Sequence, residues 1–113
     1  MQYQNIKVLL INADPGIRFE IVSYLRQAGY PQVLEAGDGR SALRLLHENS
    51  FDLIITDINV PHIDGWRLAR IVRSGVFNTS RKTPIIVVAQ TNNRHIAKIT
   101  AFDYGVNCFL RYP

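Results

Sequence analysis

The residues best able to carry chemistry in this chain are polar groups that follow short apolar runs. Asp57 ends one such run, and Asn12, Ala13 and Asp14 follow another. Zinc and disulfide chemistry are excluded, because Cys108 is the only cysteine and the three histidines lie far apart. A glycine-rich phosphate loop is excluded as well, since only one glycine stands near Asn12, Ala13 and Asp14. Chemistry would therefore depend on carboxylates and amides.

The composition indicates one globular domain, covering residues 1–113. Its 113 residues are 47% hydrophobic and 19% charged, with a formal charge of +4, which argues against disorder. The longest apolar stretch is far shorter than the roughly 20 residues of a membrane-spanning helix. The N-terminus lacks a basic region followed by an apolar stretch, so we expect a cytoplasmic protein without membrane contact.

Strand-like and helix-like segments alternate along the whole chain. The predicted strands are Ile6–Ile11, Val33–Ala36, Phe51–Asp57, Ile85–Ala89 and Asn107–Leu110. The predicted helices are Pro15–Ala28, Ser41–Asn49, Asp64–Arg73 and Asn93–Tyr104. This alternation predicts an α/β fold with a parallel sheet and right-handed crossovers.

The first helix has the clearest boundaries. Asp14 is predicted to be its N-cap, followed by Pro15, and Gly29 is expected to end it. Its inward stripe is predicted to contain Ile17, Ile21, Tyr24, Leu25 and Ala28, which recur at helical spacing.

In such sheets, ligands bind beyond the carboxyl ends of the strands. This rule selects eight residues as candidates for a site. They are Asn12, Ala13, Asp14, Asp57, Asn59, Ala89, Gln90 and Tyr112.

The segment from Phe51 to Gly65 resembles the receiver domain of bacterial two-component response regulators. An acidic residue ends a strand, a proline follows four positions later, and an Asp-Gly pair comes after it. The resemblance covers nearly the whole chain and implies a flavodoxin-like (βα)5 doubly wound sheet with strand order 2-1-3-4-5. Because the chain ends at Pro113, the final helix of that fold would be missing, and we expect a fragment of a longer regulator.

By this resemblance, Asp57 is the residue that accepts a phosphoryl group from a sensor histidine kinase. The family binds Mg²⁺ with the acceptor, an acidic pair after the first strand and one backbone carbonyl, which matches Asn59. Phe109 matches the aromatic residue that turns inward when the family switches state.

The sequence departs from this pattern at four pocket positions. Asn12 and Ala13 stand in place of the acidic pair, Ala89 in place of a hydroxyl residue, and Tyr112 in place of a lysine. Three expected carboxylates are reduced to one, so Mg²⁺ binding should be weak or absent, and no other cofactor is expected. Asp14 is a further candidate metal ligand, although an N-cap role accounts for it.

The resulting hypothesis is a degenerate receiver, or pseudo-receiver, that is not an enzyme. It would regulate an attached or separate output partner by protein contact, and it could form a homodimer. The alternative is a phosphorylation-competent receiver that uses Asp57. Asp57 could also be an ordinary carboxylate at the end of a strand.

A nucleic-acid partner is not expected through this domain, although the chain has a basic stretch. No acidic residue occurs between positions 65 and 82, where five cationic residues lie. No stacking motif accompanies them, and a solvated helix face and loop explain them more simply. The basic stretch consists of Arg67, Arg70, Arg73, Arg81 and Lys82.

Overall fold

The computed structural model describes residues 3–89 and 103–111, and it confirms the predicted parallel sheet. Its strands are β1 (Lys7–Ile11), β2 (Gln32–Ala36), β3 (Leu53–Thr56), β4 (Ile85–Ala89) and β5 (Cys108–Arg111). Its helices are α1 (Pro15–Gln27), α2 (Gly39–Glu48) and α3 (Gly65–Arg73). The strand order is β2-β1-β3-β4-β5, with every neighbouring pair parallel. The fold is therefore the flavodoxin-like arrangement that the resemblance to receivers implied.

Several predicted features fall outside the described residues. The predicted helix Asn93–Tyr104 is described only at its last two positions, and Gln90 and Tyr112 are not described. Within the described part of the chain, no helix combines the length and the apolar character needed to cross a membrane.

The strand register brings the candidate residues to one edge of the sheet. Ile11 pairs with Ala36 on one side and with Thr56 on the other. The backbone N–H of Asp57 donates to the carbonyl of Ile11 at 3.0 Å. The carboxyl ends of β1, β2 and β3 are thus level, and the residues that follow them are neighbours.

The apolar strands are covered on both faces of the sheet. Leu9, Ile11 and Ile54 face α2 and α3, and they pack with buried residues of those helices. Val8 and Leu10 face the other way and pack with Val22 of α1. Burial on both faces explains why these strands are continuous apolar runs rather than alternating ones.

The first helix is capped as predicted, but its inward stripe differs. Gly29 has a positive φ of 102°, as its position after the helix required. Tyr24 is 67% exposed and Ala28 is also exposed, whereas Val22 is buried. Successive helical residues are about 100° apart, so the ring of Tyr24 points well away from the direction of Leu25. The predicted inward positions of Tyr24 and Ala28 were therefore wrong.

Two other boundaries move by about two residues. Helix α2 begins at Gly39 rather than Ser41, because the Asp38 carboxylate caps it by accepting from Ser41 N–H at 2.7 Å. Strand β3 begins at Leu53, although the earlier Phe51 is buried.

The side chain of Arg73 joins the C-terminal end of α3 to the segments that precede β4 and β5. Its Nε donates to the Gly105 carbonyl at 2.9 Å, and Nη2 donates to Asn107 Oδ1 at 2.8 Å. Nη1 donates to the carbonyls of Arg81 and Thr83, at 2.8 and 2.6 Å. Burial lowers the pKa of this guanidinium from its usual value. Four acceptors from distant parts of the chain thus converge on one cation.

Strand β5 lies at the edge of the sheet and is largely solvent-exposed. Leu110 is 49% exposed, and Cys108 is a free, exposed cysteine. Phe109 is half-buried and pairs with Val87 of β4.

Candidate functional site

Asp57 directly follows β3 and is half-buried at the carboxyl edge of the sheet. Its Oδ1 accepts from the backbone N–H of Ile58 at 2.7 Å. Burial raises the pKa of Asp57, and hydrogen bonds from the backbone N–H groups of Ile58 and Asn59 only partly oppose that change. Among the residues that the structure describes, no cationic side chain forms an ion pair with Asp57. Within the described part of the chain, the carboxylate is therefore desolvated without a compensating ion pair.

This environment predicts a pH-dependent effect of Asp57→Asn. Because the folded protein has the higher pKa, folding takes up a proton, and the free energy of unfolding falls as pH rises from the usual value of 3.8. Asparagine removes this penalty and keeps an oxygen for Ile58 N–H. We expect Asp57→Asn to raise the thermal midpoint at pH 7, with the difference shrinking as pH falls from 7 toward 3.8.

The measurement is thermal unfolding followed by circular dichroism between pH 3 and pH 8. The control is Asp52→Asn, which changes a carboxylate on an exposed residue in the same way. A difference between Asp57→Asn and the parent protein that did not vary with pH would contradict the prediction.

Asn12 follows β1, and both its side chain and its backbone carbonyl accept hydrogen bonds from other residues of the chain. Only 5% of the residue is exposed, and its Oδ1 accepts from the N–H of Asp14 at 2.9 Å. Its backbone carbonyl accepts from Arg18 Nη1 at 2.6 Å. The next residue, Ala13, is exposed and has no ligating atom in its side chain. The acidic pair expected here is thus replaced by a buried amide and a methyl group.

Asp14 has the capping role that the sequence predicted. Its Oδ1 accepts from the N–H groups of Gly16 and Ile17, at 2.8 and 3.3 Å. These bonds satisfy donors that have no partner within the first turn of a helix. Its part in metal binding stays a prediction.

Arg18 was not among the residues selected from the sequence. Besides its bond to Asn12, its Nε forms an ion pair with Glu35 Oε1 at 3.3 Å. It thereby joins the start of α1 to the ends of β1 and β2. Its position four residues after the N-cap Asp14 is the signal that could have identified it, because that spacing places it one turn further along the helix.

The loop after β3 is held tightly against Asp57. The N–H of Gly65 donates to the carbonyl of Ile58 at 2.9 Å. A Cβ atom on Gly65 would lie 2.3 Å from the carbonyl oxygen of Asp57. Only glycine fits this approach, which explains the Asp64-Gly65 pair in the sequence.

The family model of the response regulator receiver domain matches residues 8–113 of the chain. The chain belongs to this family. As a receiver domain, it is a module of two-component signalling.

This receiver domain is similar to bacterial chemotaxis and transcriptional regulatory proteins. It is 32% identical over 108 residues to the chemotaxis protein CheY of Pseudomonas aeruginosa. This match covers 96% of the present chain and 85% of that protein. It is 33% identical over 107 residues to the transcriptional regulatory protein PdtaR of Mycobacterium tuberculosis, covering 95% of this chain and 49% of that protein.

Solved structures of receiver proteins superimpose closely on this chain. The chemotaxis protein CheY4 of Vibrio cholerae superimposes with a TM-score of 0.83 at 32% identity, over 96% of this chain and 87% of that one. The receiver domain of a sensor histidine kinase from Pseudomonas aeruginosa gives a TM-score of 0.80 at 28% identity, over 96% and 85%. That structure was solved with a magnesium ion coordinated in its active site cleft.

The described residues of this receiver domain offer few ligands for such a magnesium ion. Mg²⁺ prefers hard oxygen ligands in near-octahedral geometry, usually with carboxylates among them. Of the strand-end residues described, Asp57 supplies a carboxylate. The carboxylate of Asp14 caps a helix, and the amide oxygen of Asn12 accepts a hydrogen bond from the N–H of Asp14. Within residues 3–89 and 103–111, no group of three His, Cys, Asp or Glu could hold a metal ion. Weak or absent Mg²⁺ binding stays a prediction.

Two further residues selected from the sequence, Ala89 and Phe109, lie on β4 and β5. Ala89 ends β4 with 3% exposure and pairs with Arg111, which is exposed. Its methyl group can donate no hydrogen bond. Phe109, the expected switch aromatic, stacks on Trp66 of α3 with ring centroids 6.3 Å apart.

Proposed function

We propose that this receiver domain is a pseudo-receiver that regulates its partner by protein contact, with Mg²⁺-dependent phosphorylation of Asp57 impaired or lost. It acts as a binding module rather than an enzyme. The proposal rests on the residues that follow β1. Asn12 and Ala13 contribute no carboxylate there, and the amide oxygen of Asn12 accepts a hydrogen bond from the N–H of Asp14.

The chemistry of phosphoryl transfer explains why these changes matter. A carboxylate that attacks an anionic phosphoryl group must overcome charge repulsion, so nearby cations are needed to stabilise the developing charge. Asp57 has no such cation among its described neighbours. We therefore expect attack by Asp57 to be slow.

Ala89 is the second reason to expect that phosphorylation would have little effect on the conformation of this domain. A hydroxyl at this position would donate a hydrogen bond to the phosphoryl group, worth about 1.5–3 kcal/mol for a bond to a charged acceptor. That range is comparable to typical coupling energies between two sites. Without it, a phosphoryl group on Asp57 would shift the conformational equilibrium less.

The partner we propose is a protein. Receiver domains interact with histidine kinases. The matched region makes up 49% of PdtaR, so that protein contains further chain besides its receiver domain. The output partner of this domain would be attached in the same way or separate, and the domain could also pair with a second copy.

The basic stretch does not favour a nucleic-acid partner, because three of its five cations already have partners on the protein. Arg73 donates to four internal acceptors. The guanidinium of Arg70 lies 4.5 Å above the ring of Tyr104, and Arg67 forms an ion pair with Asp64 at 3.7 Å.

Incubation with acetyl phosphate and Mg²⁺, followed by intact mass spectrometry, tests the loss of phosphorylation. We expect no adduct of about 80 Da under conditions that modify the CheY relative, which serves as the positive control. An adduct that disappears in Asp57→Ala would overturn the proposal and establish the alternative, a phosphorylation-competent receiver. An adduct that persists in Asp57→Ala would lie elsewhere and would leave Asp57 unreactive, as proposed.

A further inference from the structure

The first residue of α3 is fixed against the backbone of Asp57. Gly65 donates to the Ile58 carbonyl at 2.9 Å, and the space beside it is filled by the carbonyl oxygen of Asp57. Because a protein interior is close-packed, a displacement of this carbonyl cannot be absorbed at Gly65. We expect the start of α3 to follow a displacement of the loop after β3.

The next residue, Trp66, connects this helix to β5 through aromatic contacts. Its ring is nearly parallel to that of Phe109, with 15° between their planes and 6.3 Å between centroids. It also contacts Tyr104, at 5.8 Å between centroids. These three half-buried residues form an aromatic cluster, and the guanidinium of Arg70 lies over its Tyr104 ring.

Strand β5 is suited to respond to this contact. Among the strands in residues 3–89 and 103–111, it pairs with β4 alone, and it stands at the end of the strand order. The side chains on its face toward α3 therefore contribute more to its position than they would in a central strand. Stacked aromatic pairs contribute about 0.5–1.5 kcal/mol beyond the area that they bury.

We propose that Trp66 is a positioning residue that couples the loop after Asp57 to the edge strand β5. The coupling runs from the Asp57 carbonyl through Gly65 and the Trp66 ring to Phe109. It goes beyond the proposed function, because it requires neither a metal ion nor a phosphoryl group. It also bypasses position 89, where alanine can make no hydrogen bond.

The test uses Asp57→Asn as the perturbation and backbone amide chemical shifts as the readout. This substitution removes the charge and keeps an acceptor for Ile58 N–H. In the parent protein, we expect it to shift the amide signals of Val87–Ala89 and of Cys108–Arg111. In a Trp66→Leu background, the shifts at Cys108–Arg111 should fall by half or more, whereas those at Val87–Ala89 should persist.

Two further variants keep the test decisive. Trp66→Phe preserves an aromatic ring and should restore most of the response in β5. Phe109→Leu breaks the contact from the other side and should also remove that response, which covers the case in which Trp66→Leu does not fold.

Trp66 is the only tryptophan, so its fluorescence reports the first half of the route. In Phe109→Leu, we expect this fluorescence still to change upon Asp57→Asn. Equal shifts in β5 with and without the Trp66 ring would overturn the proposal. The absence of any β5 response in the parent protein would overturn it as well.

Discussion

Replacing Asn12 and Ala13 together by aspartate is expected to increase the affinity of this receiver for Mg²⁺ on the order of 100-fold. The change raises the number of carboxylates expected in the pocket from one to three. The affinity of hard cations depends strongly on ligand charge, and an aspartate at position 12 can still accept from the N–H of Asp14, as Asn12 does at 2.9 Å. The expected gain follows from electrostatics alone.

Titration calorimetry with MgCl₂ measures this affinity directly. Without metal, the added carboxylates should lower the thermal midpoint through mutual repulsion, and Mg²⁺ should restore it by binding the folded state. The matched control carries serine at both positions and adds polarity without charge. If the aspartate and serine variants bound Mg²⁺ equally weakly, the loss of the acidic pair would not be the cause of poor binding.

Replacing Arg73 by alanine is expected to lower the free energy of unfolding by about 3 kcal/mol. The substitution removes the donors for the carbonyls of Gly105, Arg81 and Thr83 and for the Asn107 side chain. Asn107 Oδ1 also accepts from Ile85 N–H at 2.8 Å, so the orientation of this side chain affects the start of β4. Acceptors left without partners in a partly buried site account for most of the loss.

Chemical denaturation measures the change. Arg70→Ala is the matched control, because Arg70 lies on the same helix but makes a contact with Tyr104 at its exposed surface, worth about 0.5–1 kcal/mol. Arg73→Lys should fall between the two, since one ammonium group cannot match the fork of a guanidinium. Equal losses for Arg70→Ala and Arg73→Ala would contradict the structural role given to Arg73.

Local signals made much of this fold predictable. Asp14 caps α1 through residues two and three positions ahead, and Gly29 ends that helix, so both lie within one turn of what they act on. The continuous apolar runs of the strands reflect burial on both faces of the sheet. The order of the strands and the expected role of Asp57 came from the resemblance to receivers.

The contacts that were not predicted join residues far apart in the sequence. Arg73 reaches acceptors 8 to 34 residues away, and no local pattern selects it over the other arginines of α3. The same holds for the Trp66–Phe109 stack, which joins two elements that are far apart in the sequence. The exposure of Tyr24 depends on how α1 is rotated against the sheet, and helical spacing alone left that rotation open.

The exposed thiol of Cys108 makes the native sequence convenient for spectroscopy. It is the only cysteine, it lies on the solvent-exposed edge strand, and the only tryptophan contacts its neighbour Phe109. A quencher attached to this thiol would report the separation of β5 from α3 through indole emission, without any engineered labelling site.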